Sequence, residues 1–149
     1  MIFDALTAIR DRLENDAGIE VAFKAWYPDA TPNYFIGAKL KPTAQEFPYI
    51  AVAPMLETRE RRNNRPRQQK ISLMFGVTEH DVTDGVSIGL ERVTVLGELI
   101  YAALDKQPLR VAPLVEWLSN AQMISDAGVQ HPHYEAELIL DVTIFPYFP

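Results

Sequence analysis

Two segments of the chain carry apolar residues at helical spacing. Residues 2–16 are predicted to form an amphipathic helix that stops near Gly18, because one apolar stripe faces mostly polar positions. Residues 87–105 are predicted to form a second helix with Ser87 as its N-cap and a broad apolar face. A face of this width is typical of a helix that packs on a sheet. The first stripe consists of Ile2, Leu6, Ile9 and Leu13.

Other segments alternate between apolar and polar residues, as strands do. Residues 134–145 show the clearest alternation, and residues 48–57 and 69–79 show it on either side of a charged stretch. Those two strands are predicted to pair as a hairpin, with Pro54 at an edge position or a bulge because proline has no N–H to donate. Residues 19–26 are predicted to form a short strand.

Turn-forming residues separate these elements. Three prolines within residues 27–42 predict a long surface loop, since such proline density interrupts strands and helices. Residues 80–86 and 126–133 are predicted to be turns. Residues 114–125 fit either a strand or a short helix followed by a strand, and we expect them to form a second hairpin with the last strand.

The resulting order is helix, strand, long loop, hairpin, helix and hairpin. Because hairpins join most of the strands, the sheet is predicted to be mostly antiparallel. The economical arrangement packs two helices on one face of that sheet. The sequence therefore predicts a single α+β domain over residues 1–149, with a long central β-hairpin.

Composition narrows the classes of function. Hydrophobic residues make up 48% and charged residues 23% of the 149 residues, which fits a globular protein with a buried core. The formal net charge of -6 argues against nucleic acid as the main partner, since phosphate binding needs positive charge. The absence of cysteine excludes disulfides, thiolate metal sites and cysteine nucleophiles. We find no signal peptide or membrane span and expect a soluble, cytoplasmic protein with no membrane partner.

The sequence contains no recognisable catalytic or cofactor-binding motif. A G-x-S-x-G turn and a glycine-rich phosphate loop are both absent. His80, Asp81 and Asp84, and separately His131 and His133, are candidate metal ligands, but neither group has a further ligand at a known spacing. Turn chemistry is the commoner role for such residues. We therefore expect no metal site, no cofactor and no enzymatic activity.

Three carboxylates lie on one face of the predicted last strand: Glu135, Glu137 and Asp141. Carboxylates placed together carry out acid–base catalysis when an enclosed site shifts their pKa values. A solvated strand face or a subunit contact explains the same pattern. A small enzymatic or ligand-binding α+β domain stays as an alternative, and a deep cleft containing these groups would favour it.

One stretch of the chain is strongly basic. It holds six of the fourteen lysine and arginine residues within twelve positions: Arg59, Arg61, Arg62, Arg65, Arg67 and Lys70. No aromatic residue is interleaved with them, so a base-stacking platform for nucleic acid is absent. One interpretation is a solvated hairpin tip. The other is an arm that reaches an acidic surface on another copy, which favours head-to-tail self-assembly because the rest of the chain is acidic.

The layout resembles the small tail terminator and tail completion proteins of tailed phages and prophages, including the lambda-type tail terminator group. The resemblance covers most of the chain and rests on the order and pattern of elements. It includes no signature motif, so it assigns no functional residue to a position of this sequence. The segments that carry it are the helix MIFDALTAIRDRL, the strands PYIAVAPMLE and QKISLMFGV around the charged hairpin, the helix IGLERVTVLGELIYAAL and the closing strand YEAELILDVTIF.

The resemblance implies a non-enzymatic structural protein of the virion. Such proteins form a ring, typically a hexamer, on the end of the growing tail tube, stop its polymerisation and offer a surface to the head or neck. The implied partners are copies of the same chain, the tail tube protein and a head or neck connector protein. The implied location is the host bacterial cytoplasm during assembly and then the virion tail. A head–tail adaptor or completion protein is the nearest alternative, and the basic tip could contact DNA in the ring lumen.

Overall fold

The structure, a computed structural model, describes residues 2–37, 47–58, 67–83, 85–105, 109–111, 114–125 and 132–145. Within these ranges the chain forms three helices, α1 (Ile2–Glu14), α2 (Ala17–Trp26) and α3 (Ile88–Asp105). The strands in the same ranges are β1 (Asn33–Ile36), β2 (Tyr49–Thr58), β3 (Arg67–Thr78), β4 (Val82–Thr83), β5 (Val86–Ser87), β6 (Leu109–Val111), β7 (Leu114–Ser125) and β8 (His133–Phe145). No described helix is both long and apolar enough to cross a membrane.

The two predicted helices are confirmed as α1 and α3. Ser87 caps α3 as predicted, because its Oγ accepts a hydrogen bond of 3.4 Å from the Leu90 N–H. Gly18, predicted to end the first helix, lies instead in the first turn of α2. The buried stripe of α1 includes Ala5, Leu6, Ile9 and Leu13, and that of α3 includes Val93, Leu96, Ile100, Ala103 and Leu104.

Helix α2 replaces the short strand predicted over residues 19–26, and that prediction is wrong. Asp16 caps the helix, because its side chain accepts a hydrogen bond of 3.0 Å from the Ile19 N–H. Ile19 and Phe23, four residues apart, are buried, whereas Val21 between them is 67% exposed. Burial in this segment therefore follows the helical period and not the strand period.

Six strands form one sheet in the order β1-β2-β3-β8-β7-β6. Neighbouring strands are antiparallel, except that β1 and β2 are parallel. The predicted α+β class and the mostly antiparallel sheet are confirmed, and the central hairpin strands are the antiparallel pair β2–β3. The register of that pair shifts between Pro54 and Leu56, which agrees with the bulge predicted at this proline.

Strand β1 lies within the stretch predicted to be a surface loop over residues 27–42. Backbone hydrogen bonds from the Asn33 N–H to Pro48 O (3.0 Å) and from the Gly37 N–H to Val52 O (2.7 Å) flank its pairing with β2. The loop prediction is wrong for this strand, because a parallel strand pairs with a remote segment and leaves no local hairpin signal. Residues 38–42 lie outside the described ranges.

The remaining turns and strands follow the sequence more closely. The turn predicted at residues 80–86 contains the short hairpin β4–β5, in which Gly85 has a positive φ of 77°. The segment that fitted either a strand or a helix is strand β7, and its antiparallel pairing with β8 confirms the second hairpin. Of the turn predicted at residues 126–133, the structure describes only Pro132 and His133, and His133 begins β8.

Helices α1 and α3 pack on one face of the six-stranded sheet. Helix α3 contacts β3, β7 and β8, while α1 contacts β1 and β2 at one edge and β6 at the opposite edge. Helix α2 packs against α1 and α3, so the two predicted helices over the sheet are joined by a third. The sheet side of this core includes Ile50, Val52, Ile71, Leu73, Phe75, Val77, Leu138 and Leu140.

Candidate functional site on the uncovered sheet face

The two faces of the central strands have different environments. Successive side chains of a strand point to opposite faces, so Ile71, Leu73 and Phe75 of β3 face the helices and are fully buried. The alternate positions face the other way, and the hydrophobic cluster on that side contains no described helix residue. We call this side the uncovered face because no described helix packs on it, although Tyr49 and Ala51 at its β2 end are buried. Its residues include Phe35, Tyr49, Ala51, Lys70, Ser72, Met74, Gly76, Gln122, Ile124, Glu135, Glu137, Ile139 and Asp141.

Each of the three carboxylates noted in the sequence has a partner on the uncovered face. Glu135 accepts a hydrogen bond of 2.8 Å from the Tyr49 hydroxyl, and Glu137 accepts one of 3.0 Å from Ser72 Oγ. Asp141 Oδ1 lies 3.0 Å from Lys70 Nζ. These groups are only partly buried, so among the described residues they form an ordered polar surface.

Aromatic residues crowd one end of the uncovered face. Tyr49 and Glu135 lie on either side of Gly76 in the register, and the tyrosine reaches across the glycine to its carboxylate partner. A Cβ at Gly76 would lie 2.6 Å from Phe47 Cε1 and 2.7 Å from Tyr49 Cε1. The Phe47 ring also stacks on His133 at 4.6 Å between centroids. Gly76 is therefore required for the close approach of these rings.

The other end of the face, on β7, presents apolar surface. Ile124 lies opposite Glu137 in the register and is 57% exposed. An exposed aliphatic side chain next to polar groups matches the arrangement of an apolar centre with a polar rim in protein–protein contacts. The uncovered face is thus the best candidate for an interaction surface in the described part of the chain.

The predicted basic arm lies mostly outside the described ranges. Arg59, Arg61, Arg62 and Arg65 fall within residues 59–66, which the structure does not describe. Arg67 is the first residue of β3 and pairs in register with Ile144, and Lys70 is exposed and bound to Asp141. Thr58 ends β2 and Arg67 begins β3, and both lie at the end of the sheet where β8 finishes.

The candidate metal ligands do not converge. Among the described residues, no group of three or more His, Asp or Glu side chains could hold a metal ion. His80 and Asp81 are exposed, and both of their backbone N–H groups donate to Glu79 Oε1, which is turn chemistry. His133 Nδ1 lies 3.1 Å from Thr78 Oγ1. Asp84 and His131 lie outside the described ranges.

A pocket of about 330 Å³ lies between the end of α1, helix α2 and β1. Burial raises the pKa of Tyr34 to about 12, and the negative charges of Glu14, Glu20 and Asp16 add to that rise. The pocket therefore combines an aromatic and proline-rich wall with an acidic rim. It is lined by Glu14, Glu20, Phe23, Lys24, Tyr27, Pro28, Ala30, Thr31, Pro32 and Tyr34.

An arginine packs against aromatic rings next to this pocket. The Arg92 guanidinium carbon lies 5.2 Å from the centre of the Tyr27 ring and 5.9 Å from that of Trp26. Arg92 Nη1 donates a hydrogen bond of 2.6 Å to Glu79 Oε2. Burial raises the pKa of Tyr27, and the nearby positive charge of Arg92 offsets part of that rise. The cluster ties α2 and α3 to the end of β3.

Comparison with known proteins finds a similarity of fold and none of sequence family. No family model matches the sequence, and no curated protein matches it. A chain in the virion of a native gene transfer agent (GTA) particle aligns with a TM-score of 0.56 and 14% sequence identity, covering 94% of this chain and 93% of that chain. The likeness is one of fold. It extends over nearly the whole of both chains.

Sequence reasoning did not identify the aromatic end of the uncovered face or the pocket. The sequence does carry a signal for the aromatic end. Tyr49 and Ala51 alternate with Ile50 and Val52, so both faces of β2 are apolar, as in a strand buried on both sides. The pocket was not foreseen because α2 and β1, which form its wall, were predicted as a strand and a loop.

Proposed function

We propose that this protein is a structural component of a phage-like virion, and that it acts as a ring-forming tail terminator that caps the tail tube and joins it to the head or neck. The observation that carries the proposal is the fold shared end to end with a virion chain of the gene transfer agent particle.

The uncovered face supports a role in assembly. Its carboxylates are held by hydrogen bonds and an ion pair, and Ile124 beside them is exposed. Preordered polar groups lower the cost of binding, because their side chains lose little freedom when a partner docks. We propose that this face meets the tail tube protein.

The role needs no cofactor and no catalytic group. It does need self-association, and the split between a basic stretch and an otherwise acidic chain favours it. Contacts between unlike surfaces of identical subunits close into rings when the rotation between neighbours is suitable. Arg59, Arg61, Arg62, Arg65 and Arg67 are proposed as the basic half of that contact, while Lys70, the last residue of the basic stretch, pairs with Asp141 on the uncovered face.

Native mass spectrometry and negative-stain microscopy of the protein, alone and with purified tail tubes, test the proposal. The expected result is a ring, hexameric by the family resemblance, that sits on tube ends and halts their growth. A monomer that neither binds tubes nor changes their length would contradict it. Co-purification with portal or adaptor subunits instead of tube subunits would favour the head–tail adaptor role.

A further inference from the structure

The pocket between α1, α2 and β1 has the chemistry of a site for a guanidinium group. Its wall is made of Phe23, Tyr27, Tyr34 and two prolines, and its rim carries Glu14 and Glu20. Arginine binds best where an aromatic face receives its flat group and a carboxylate receives its N–H donors. The volume of about 330 Å³ is at the small end for ligand pockets, which suits a side chain better than a cofactor.

The carboxylates of the rim are available to an incoming cation. Glu14 has no hydrogen-bond or ion-pair partner among the described residues. Glu20 pairs with Lys24 at 2.8 Å, but both side chains are more than half exposed. Exposed pairs of this kind are weak, so a guanidinium that also contacts the aromatic wall can compete with Lys24.

The protein already uses this mode of binding next to the pocket. Arg92 packs over the rings of Trp26 and Tyr27 and donates to the Glu79 carboxylate. Tyr27 also lines the pocket. The same tyrosine thus shows that an arginine flanked by an aromatic ring and a glutamate is a stable arrangement in this environment.

The chain itself supplies the arginines, and the chain length between the described strand ends favours the arm of another copy over its own. Tyr34 of the pocket pairs with Ile50, and the arm begins after Thr58, eight residues or about 26 Å further along β2. The farthest arginine from either strand end is Arg62, four residues or about 14 Å beyond Thr58. An extended side chain does not close that gap.

We infer that the pocket receives an arginine from residues 59–67 of a second copy of this chain. The contact joins the pocket of one subunit to the basic segment of the next, two unlike surfaces, so it is head-to-tail and compatible with ring closure. This inference rests on the proposed self-assembly and names the acidic half of the subunit contact.

A peptide with the sequence of residues 57–70, titrated into the full-length protein by calorimetry, tests the site directly. The peptide should bind the wild type. Glu14→Lys should lower the affinity for the peptide at least about tenfold, the equivalent of one charge-assisted hydrogen bond. Replacing every arginine of the peptide by lysine should also lower the affinity, because lysine lacks the planar guanidinium group. Glu91→Lys, an exposed site on α3 with the same charge change, is the matched control and should leave the affinity unchanged.

Assembly provides the second measurement. Glu14→Lys should reduce ring formation, and combining it with Arg61→Glu and Arg62→Glu should restore part of it. If Glu14→Lys does not fold, Glu14→Gln and Tyr34→Leu serve in its place, with a smaller loss expected. Equal peptide affinity in wild type, Glu14 variants and Glu91→Lys would overturn the pocket assignment and leave the ring proposal standing. Specific peptide binding by a protein that never forms rings would overturn the proposed function and keep the pocket.

Discussion

Individual residues set how closely the layers of this protein approach. Gly76 allows Phe47 and Tyr49 to cross over β3, and Gly89 allows the Tyr134 ring to lie against the first turn of α3. A Cβ at Gly89 would overlap the Tyr134 ring, which is 4% exposed and has no room to move away. Side-chain size at such points therefore decides the separation of helix and sheet.

The effect of Gly89→Ala on the free energy of unfolding should reverse in sign when Tyr134 is also replaced. In the wild type it should lower the free energy of unfolding by about 1–3 kcal/mol through overpacking. In a Tyr134→Ala background it should raise that free energy by about 0.5–1 kcal/mol, since alanine is the better helix former. Urea denaturation of the four proteins measures both effects, and a loss of equal size in both backgrounds would contradict the steric explanation.

Tyr34 should make stability depend on alkaline pH. Its pKa in the folded state is raised from 10.0 to about 12, so the folded protein holds this proton more tightly than the unfolded chain does. The stabilisation is complete below pH 10 and is lost as the pH rises through 10 toward 12. The free energy of unfolding should fall less steeply over this window in Tyr34→Phe than in the wild type. Parallel curves would show that the pocket does not perturb this hydroxyl.

At the scale of elements, the strands with clean alternation were predictable and the segment between α1 and β2 was not. Residues 69–79 and 134–145 alternate because one side faces the helices, and the structure places their apolar residues there. The sequence of α2 fits both periods, since Ile19 and Phe23 are separated by a distance common to helix and strand patterns. The exposed position of Val21 in the structure distinguishes the two periods. This exposure results from tertiary packing, which the local sequence pattern does not report.

The Asp16 cap tests the assignment of α2 as a helix. Asp16→Ala should lower the free energy of unfolding by about 1 kcal/mol, because the Ile19 N–H loses its acceptor at the helix start. Asp29→Ala, an exposed aspartate in the segment between α2 and β1, removes the same charge and should change stability by less than about 0.5 kcal/mol. Equal losses in the two variants would point to a general charge effect instead of capping.

At the scale of the whole molecule, three surfaces point in different directions. Arg67 and Lys70 of the basic stretch lie at one end of β3, the acidic pocket lies near the other end of the sheet, and the uncovered face is the side of the sheet away from the helices. The sequence predicted the basic stretch and the carboxylate stripe. It could not predict the pocket, because the walls come from elements that meet only in the folded chain.

A charge placed on the uncovered face should separate assembly from stability. Ile124→Arg should leave the free energy of unfolding within about 0.5 kcal/mol of the wild type, because this side chain is 57% exposed. It should abolish capping of tail tubes if this face meets the tube, as measured by tube length in negative stain. Glu98→Arg, on the exposed side of α3, is the control and should cap tubes normally. Normal capping by Ile124→Arg would assign tube binding to another surface.

The position of β8 has a consequence for how the chain acquires its fold. This strand is the last described in sequence, yet it lies at the centre of the sheet, between β3 and β7. Until β8 is available, β3 and β7 lack the strand that pairs between them, so their facing edges are open to pairing with other chains. Folding should therefore be slow and complete only after synthesis reaches residue 145, as expected for contacts so distant in sequence.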